Sequence, residues 1–315
     1  EPFCVINCDD FYNRDCFMIM SMISSGTPIL FALMGDLVGQ QTGIISLSVE
    51  GSILMGACSG FAVAAYTNNL ILTILAAALA GAFIGLIQAY LVISRKANML
   101  ASGLTLIFFA QGITGFAGRN LLTKEIVRFD KIAVPVISKI PVIGVFFDQD
   151  PITYLSYFVI VILFLVLNKT RFGFELRATG QNKESVEAYG INPKVMQYVA
   201  VVFAGALAGI GGAHLSTAYT MSWVDNISGG RGLIASALVI LCGWSIEKSI
   251  FAAYLFGGAQ ALQILLQMTG IKIPTYFMLM LPYVVTIISL AIVSVKGKAK
   301  MPEELTKISD MTDGT

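Results

Sequence analysis

Residues 72–93 read LTILAAALAGAFIGLIQAYLVI and contain no charged side chain. About 20 apolar residues in a helix cross the ~30 Å hydrocarbon core of a bilayer, so this stretch predicts a membrane-spanning helix. A strand of a membrane barrel would alternate polar and apolar side chains, whereas this stretch is continuously apolar. The stretch therefore favours an α-helical membrane protein.

The composition of the whole chain points the same way. Of its 315 residues, 56% are hydrophobic and only 12% are charged, against roughly 25% charged in a soluble domain. This balance excludes a soluble enzyme. The chain has 20 Lys and Arg against 19 Asp and Glu, so it lacks the basic excess that binds nucleic acid. One histidine and five scattered cysteines predict neither a metal site nor a disulfide framework, and we expect no cofactor.

The hydrophobic segments predict the fold class, an all-α polytopic helix bundle in the plasma membrane with about nine spans. The seventh segment has fifteen residues, which is short for a span. The nine segments are 18–37, 44–66, 69–94, 98–117, 152–169, 195–215, 231–245, 249–268 and 276–295.

Lysine and arginine residues concentrate on one side of this predicted bundle, and cytoplasmic connections carry such an excess. We therefore expect that side, with the tail 297–315, in the cytoplasm, and the loop 118–151 outside. The basic residues lie at 95–96, within 169–194, at 248 and at 296–300.

Three predicted spans contain glycines four residues apart. Small residues at this spacing form a flat stripe on a helix and allow close contact between helix backbones. They predict tight packing of one compact bundle. The pairs are Gly56/Gly60, Gly81/Gly85 and Gly205/Gly209.

The second and third segments resemble the seventh and eighth. Both pairs begin with a charge and a glycine, Glu50-Gly51 and Arg231-Gly232, and continue into a Gly-rich helix with glutamines. Since the second segment is expected to run outward and the seventh inward, the copies would be inverted, an arrangement typical of transporters. Chance similarity of two Gly- and Ala-rich hairpins is the alternative.

Four motifs carry a resemblance to a known family. They are RFGFELRATGQNKESVEAYGIN (171–192), FAGALAGIGG (203–212), GGRGLIASALVILCGW (229–244) and GIISLSVEGSILMGA (43–57). In their order along the chain, the motifs are similar to those of ABC importer permeases of the branched-chain amino acid and simple-sugar superfamily. Ser46 and Ser48 depart from the family pattern, which has Asn and Gly there.

The resemblance implies a permease subunit of an ATP-driven importer for a nucleoside-like or simple-sugar solute. It implies cytoplasmic ATPase subunits docked through residues 172–192, a second permease chain and an extracytoplasmic solute-binding protein. The chain lacks the G-x-x-x-x-G-K-[ST] phosphate loop, so an ATP-driven step needs a partner. The candidate coupling residues are Arg177, Gly180, Glu187 and Gly190.

Two other functions remain open at this point. An ATP-independent carrier or channel would need more ionisable residues inside the membrane to couple an ion, and Glu50 alone supports it weakly. A membrane-embedded enzyme is disfavoured because no cluster of His, Cys, Asp or Ser recurs at helical spacing.

Several polar side chains in the spans are candidates for the solute path. An ionisable residue inside a span costs roughly 2.5–3.5 kcal/mol, so Glu50 should face protein or water. The amides could bind a polar solute or join helices, and Trp223 could stack a base or anchor at the interface. Asp36 is expected to be a boundary charge. The candidates are Glu50, Gln88, Asn98, Gln111, Trp223 and Arg231.

Residues 1–17 differ from the remainder of the chain. They contain VINCDDFY, which resembles a strand and loop of sugar nucleotidyltransferases, where an aspartate holds Mg²⁺. So short a fragment is not a domain, and we expect the permease domain to comprise residues 18–296.

Overall fold

The computed structural model describes residues 10–124, 126, 132–133, 148–268, 277–278, 280–285 and 287–288. The chain is almost entirely helical in these ranges, apart from an antiparallel pairing of Ile132–Ala133 with Asp148–Gln149. The helices are α1 (Asp10–Gln41), α2 (Val49–Thr67), α3 (Leu70–Ala89), α4 (Met99–Ala117), α5 (Pro151–Lys169), α6 (Arg171–Gln181), α7 (Lys183–Ala188), α8 (Pro193–His214), α9 (Arg231–Leu241) and α10 (Ile246–Met268).

Local sequence signals set many of the helix starts. The side-chain oxygens of Asn69, Asn98, Asn182 and Asn192 accept hydrogen bonds from backbone N–H groups in the first turns of α3, α4, α7 and α8. These N–H groups have no partner within a helix, so a capping side chain stabilises the start. Short polar connections of this kind allow one span to follow another with few residues between them.

Seven helices of the described residues are long and apolar enough to cross a membrane, which confirms an all-α polytopic bundle. The predicted number of about nine spans is not confirmed. The seventh predicted segment contains α9, whose 11 residues extend about 16 Å at 1.5 Å per residue. The ninth, 276–295, lies mostly outside the described residues. The seven are Met18–Gln41, Val49–Thr67, Leu70–Ser94, Met99–Leu121, Pro151–Lys169, Pro193–Tyr219 and Ile246–Gln267.

Both ends of the sequence fall largely outside this description. Of the unusual segment 1–17, residues 10–17 belong to α1, and residues 1–9 lie outside the described ranges. The predicted tail 297–315 lies outside them as well.

The glycine pairs meet at the centre of the bundle, as the sequence predicts. Gly56 of α2 faces Gly209 of α8, and Gly81 of α3 faces Gly205 and Gly209. A Cβ atom on any of these glycines would overlap the opposing backbone. The three helices therefore pack with their backbones in direct contact, which is possible only with small residues at these positions.

Two of the basic connections, at 95–96 and within 169–194, lie on one side of the bundle. A π-helical turn, Tyr90–Ser94, follows α3. The hydroxyl groups of Ser94 in this turn and of Tyr198 in the first turns of α8 are 2.6 Å apart. This contact brings the basic pair Arg95 and Lys96 to the same side as α6 and α7. Because cytoplasmic connections carry an excess of basic residues, we expect this side to face the cytoplasm.

Candidate functional site

The first turns of α2 and α9 meet through the side chain of Glu50. Its carboxylate accepts hydrogen bonds from the backbone N–H of Gly230 (2.8 Å), the backbone N–H of Gly232 (2.6 Å) and the hydroxyl of Ser228. The side chain is 2% exposed. A negative charge at a helix N-terminus is favourable because the helix dipole is positive there. Glu50 thus caps α9 from a neighbouring helix.

Gly232 allows this close approach. A Cβ atom on Gly232 would lie 2.6 Å from both the backbone nitrogen and the Cα of Glu50, closer than atoms can pack. Residue 232 must therefore lack a side chain for the two helix starts to touch.

This meeting point lies level with the middle of a neighbouring span. A Cβ on Gly51 would be 3.0 Å from the carbonyl oxygen of Leu106 and 3.2 Å from the Cβ of Ala110. Both residues are near the middle of the span Met99–Leu121. Residues 42–48 connect α1 to α2 without helix, so α2 begins at the level of the middle of this neighbouring span rather than at its end.

Arg231 brings a positive charge to the same place. Its guanidinium donates hydrogen bonds to the carbonyl oxygens of Ile227 and Ser228, each at 3.1 Å, and lies 5.9 Å from the ring centre of Tyr219. It also interacts electrostatically with Glu50. The charges of Glu50 and Arg231 therefore balance within the site, a neutral arrangement that lowers the cost of holding them in the membrane.

Neutral polar groups form the open edge of the site. The side-chain amide of Gln111 on α4 donates a hydrogen bond of 3.3 Å to the Asn226 side chain. The hydroxyl of Tyr283 donates one of 3.4 Å to the carbonyl oxygen of Gly229. Asn226 and Gly229 are exposed, and Tyr283 is 46% exposed. We call Gln111, Asn226, Gly229 and Tyr283 the polar edge.

Of the candidate path residues, the structure brings Glu50, Gln111 and Arg231 together and places the other three elsewhere. Gln88 is buried and donates to the carbonyl oxygen of Met99 (3.3 Å), and Asn98 caps α4 beside the cytoplasmic face. Trp223 is buried against Ala57, Cys58 and Phe61 of α2 and against Leu121. The two serines that depart from the family pattern bond to each other at 2.8 Å directly before α2.

The segment formed by α6, α7 and the residues just after α7 places the four candidate coupling residues in two different settings. Gly180 is buried, and its α-carbon packs on the carbonyl oxygen of Gln41. Arg177, Glu187 and Gly190 are exposed, and Gly190 has a left-handed backbone (φ +81°) with open space around it. An open groove of about 1050 Å³ runs along α6, α7 and the end of α5.

The family model described as "Branched-chain amino acid transport system / permease component" matches residues 17–290. This chain belongs to that family. The permease is therefore a transport subunit of the plasma membrane and not an enzyme.

Several named relatives align with most of the permease. The permease protein TsgC13 of Haloferax volcanii is 32% identical over 78% of this chain and 77% of its own length. The nucleoside ABC transporter permease protein NupC of Lactococcus lactis is 31% identical over 91% of this chain and 94% of its own length. The guanosine ABC transporter permease protein NupQ of Bacillus subtilis is 29% identical over 92% and 96%, respectively. No solved structure matches the chain.

A second polar cluster of the permease lies around Asp36, and here the sequence prediction is wrong. Asp36 is fully buried, not a boundary charge, and accepts a hydrogen bond of 2.7 Å from Gln40. Because α1 continues to Gln41 instead of ending near residue 37, Asp36 lies more than a turn inside the helix. It is level with Ala204, which packs against Gly35 in the middle of α8.

Sequence reasoning missed most of the groups that surround Glu50. Ser228, Gly230 and Asn226 belong to the connection before α9, which has the composition of an ordinary loop. The consecutive glycines Gly229 and Gly230 are the one feature of this loop that the sequence could have used to predict a special turn. Both adopt positive φ in the structure (54° and 84°). Such a pair favours a backbone turn that aims N–H groups at a partner.

Proposed function

We propose that the permease forms the membrane path for a nucleoside-like or simple-sugar solute, and that the path passes the polar edge beside Glu50. The observation that carries this proposal is the pair of helix N-termini joined by Glu50 deep in the membrane. Interrupted helices whose ends meet near the midplane provide the polar groups of transporter binding sites.

The chemistry of the site supports an uncharged solute. Glu50 is fully engaged by Ser228, Gly230 and Gly232, and the Arg231 charge is balanced. What remains at the polar edge is two amides, a phenol and a backbone carbonyl, which suit the hydroxyl groups of a sugar or the edge of a nucleobase. The relatives' names point to the same solutes: guanosine for NupQ, nucleoside for NupC and glucose for TsgC13.

The architecture we infer has about nine spans with two inverted repeats. Helices α2 and α9 would be equivalent elements, each starting beside Glu50 and each followed by a longer helix, α3 or α10. Opposite directions of α2 and α9 would allow the two halves to tilt against each other, so that the path opens alternately to either side.

We propose that a second permease chain covers the polar edge. The edge lies at the depth of Gln111, near the middle of α4, where lipid would leave amide groups without hydrogen-bond partners. A second chain, identical or related, would enclose a hydrated path along this face. An extracytoplasmic solute-binding protein would deliver solute to its outer end.

Cytoplasmic ATPase subunits would dock on the segment 172–192. The short helix α7 presents Glu187, followed by the exposed Tyr189 and Gly190, on the cytoplasmic face. Arg177 lines the groove beside α7, and Gly180 transmits force to α1 by backbone contact.

Uptake of labelled solutes tests the proposal. Cells would express the permease with its transporter partners, with either an active or a catalytically inactive ATPase, and be offered guanosine, ribose, glucose and riboflavin. We expect uptake of a nucleoside or sugar that stops with the inactive ATPase. Uptake that continues with the inactive ATPase would indicate a carrier, and an assembled complex that transports none of the sugars or nucleosides would refute the solute assignment.

A further inference from the structure

The C-terminal end of α9 is held by an unusual residue, Trp244. Its backbone is left-handed (φ 57°), directly after Gly243 with φ 59°. A bulky side chain rarely adopts this conformation, and such strain persists only where surrounding contacts enforce it. Trp244 is 8% exposed, so these contacts are internal.

Both polar groups of Trp244 bind the last turn of α1. Its indole N–H donates a hydrogen bond of 3.0 Å to the side-chain oxygen of Gln40. Its carbonyl oxygen accepts one of 3.3 Å from the side-chain amide of Gln41. Two successive glutamines of α1 therefore hold one residue at the end of α9.

Gln40 extends this connection along α9. Its amide nitrogen donates to Asp36 at 2.7 Å and also lies 3.4 Å from the carbonyl oxygen of Ser236, in the middle of α9. Gln40 and Asp36 are both fully buried. Polar groups in a low-dielectric interior attract each other strongly and are costly to separate, so α1 and α9 move together more readily than apart.

The same turn of α1 is the direct neighbour of the cytoplasmic helix α6. Gly180 packs on the Gln41 carbonyl, and a side chain there would also come within 3.3 Å of the Gly43 nitrogen. By contrast, a cavity of about 420 Å³, lined by Arg177 and Gln181 on one side and by Trp244 and Glu247 on the other, separates α6 from the turn after α9. Gln41 is therefore a point of backbone contact through which a displacement of α6 would reach α9.

We propose that Gln40, Gln41 and Trp244 are positioning residues that pass a displacement of α6 to α9, and so to Glu50 at the other end of α9. This inference rests on the proposed docking of ATPase subunits on segment 172–192. The 11 residues of α9 form a short rigid rod, so movement of its C-terminal end also moves Ser228 and Gly230 against the solute path.

Two conservative variants test this role. Trp244→Phe keeps an aromatic ring but removes the N–H donor, and Gln41→Leu removes the amide that binds the Trp244 carbonyl. Gln263→Leu is the matched control, because Gln263 is a half-buried glutamine of α10 outside this cluster. Each complex would be purified, reconstituted in liposomes, and measured for assembly, basal ATP hydrolysis and solute transported per ATP hydrolysed.

We expect both variants to assemble and to hydrolyse ATP at the wild-type basal rate, while solute transported per ATP falls at least tenfold. The double variant should be no worse than the more affected single variant, because the two changes interrupt one connection. Gln263→Leu should transport as the wild type does. The inference would be overturned if both single variants kept the wild-type amount of solute transported per ATP hydrolysed. This holds also if less complex assembles and total uptake falls in proportion. Failure of the wild-type complex to couple uptake to ATP would instead refute the proposed function itself.

Discussion

The carboxylate of Glu50 lies 2.6 Å from the backbone nitrogen of Gly232, although the two residues are 182 positions apart in the sequence. This contact joins the first turn of α2 to the first turn of α9 inside the membrane. The charge of Glu50 neutralises the positive end of α9, and its hydrogen bonds align the loop that carries Asn226 and Gly229. In the proposed path, Glu50 would therefore act by holding this loop in place and would not itself need to bind the solute.

Replacing Glu50 with Gln should weaken the contact between α2 and α9. An amide has one acceptor oxygen where the carboxylate has two, and its NH₂ group would face a backbone or hydroxyl donor. Hydrogen bonds to charged groups are worth about 1.5–3 kcal/mol each, so we expect a clear decrease in the thermal unfolding temperature of the purified permease and a strong loss of uptake.

Ser228→Ala is the graded comparison for this prediction. It removes one donor to Glu50 and leaves the N–H groups of Gly230 and Gly232 in place. We expect a smaller effect than that of Glu50→Gln in both measurements. If the Glu50→Gln permease unfolds at the same temperature and transports at the same rate as the wild type, the contact contributes to neither stability nor transport.

The sequence predicts the fold much better than it predicts the site. Apolar length predicts all seven spans of the described residues, although the predicted number of about nine is not confirmed. Glycine spacing correctly predicts that α2, α3 and α8 pack closely. These are local patterns with a fixed helical period. The partners of Glu50 come from a loop about 180 residues away, and no spacing rule connects them.

Two individual residues show where local reasoning fails. Asn98 is a path candidate because it is an amide beside a span, although Asn directly before a helix is also a typical N-cap. Asp36 is placed at the membrane boundary because the hydropathy pattern ends α1 one turn too early. Helix ends are the least certain part of such predictions, and a shift of one turn decides whether a carboxylate meets water or protein.

Gly81→Ala should destabilise the central packing of the bundle. A Cβ at this position would lie 2.8 Å from the Gly209 Cα and would overlap the Gly205 carbonyl, and overpacking of this kind costs about 1–3 kcal/mol. Gly112→Ala is the control, since a Cβ there meets no atom of the described residues within 4 Å. Thermal unfolding in detergent should show a lower midpoint for Gly81→Ala only, and equal midpoints would contradict the packing described above.

Gln111→Leu and Asn98→Ser separate a path residue from a capping residue. Gln111 belongs to the polar edge, so its loss should raise the KM for uptake about five- to tenfold, the equivalent of one hydrogen bond of ~1 kcal/mol or slightly more. Serine is a good N-cap, so Asn98→Ser should leave α4 and uptake intact. The assignments would be reversed if Asn98→Ser raised the KM and Gln111→Leu did not.

Glu187→Arg should interrupt docking of the ATPase subunits without disturbing the membrane helices. Glu187 is exposed on α7, and reversing the charge of an exposed side chain at an interface repels the partner that the original charge attracts. We expect the amount of ATPase that co-purifies with the permease to fall at least tenfold at unchanged membrane expression. Lys194→Glu is the matched control: Lys194 is also exposed on the cytoplasmic face but lies just beyond segment 172–192, so its charge reversal should leave co-purification intact. Full retention of the ATPase by Glu187→Arg, or its equal loss with Lys194→Glu, would contradict docking through α7, because a specific interface must distinguish two exposed charges on the same face.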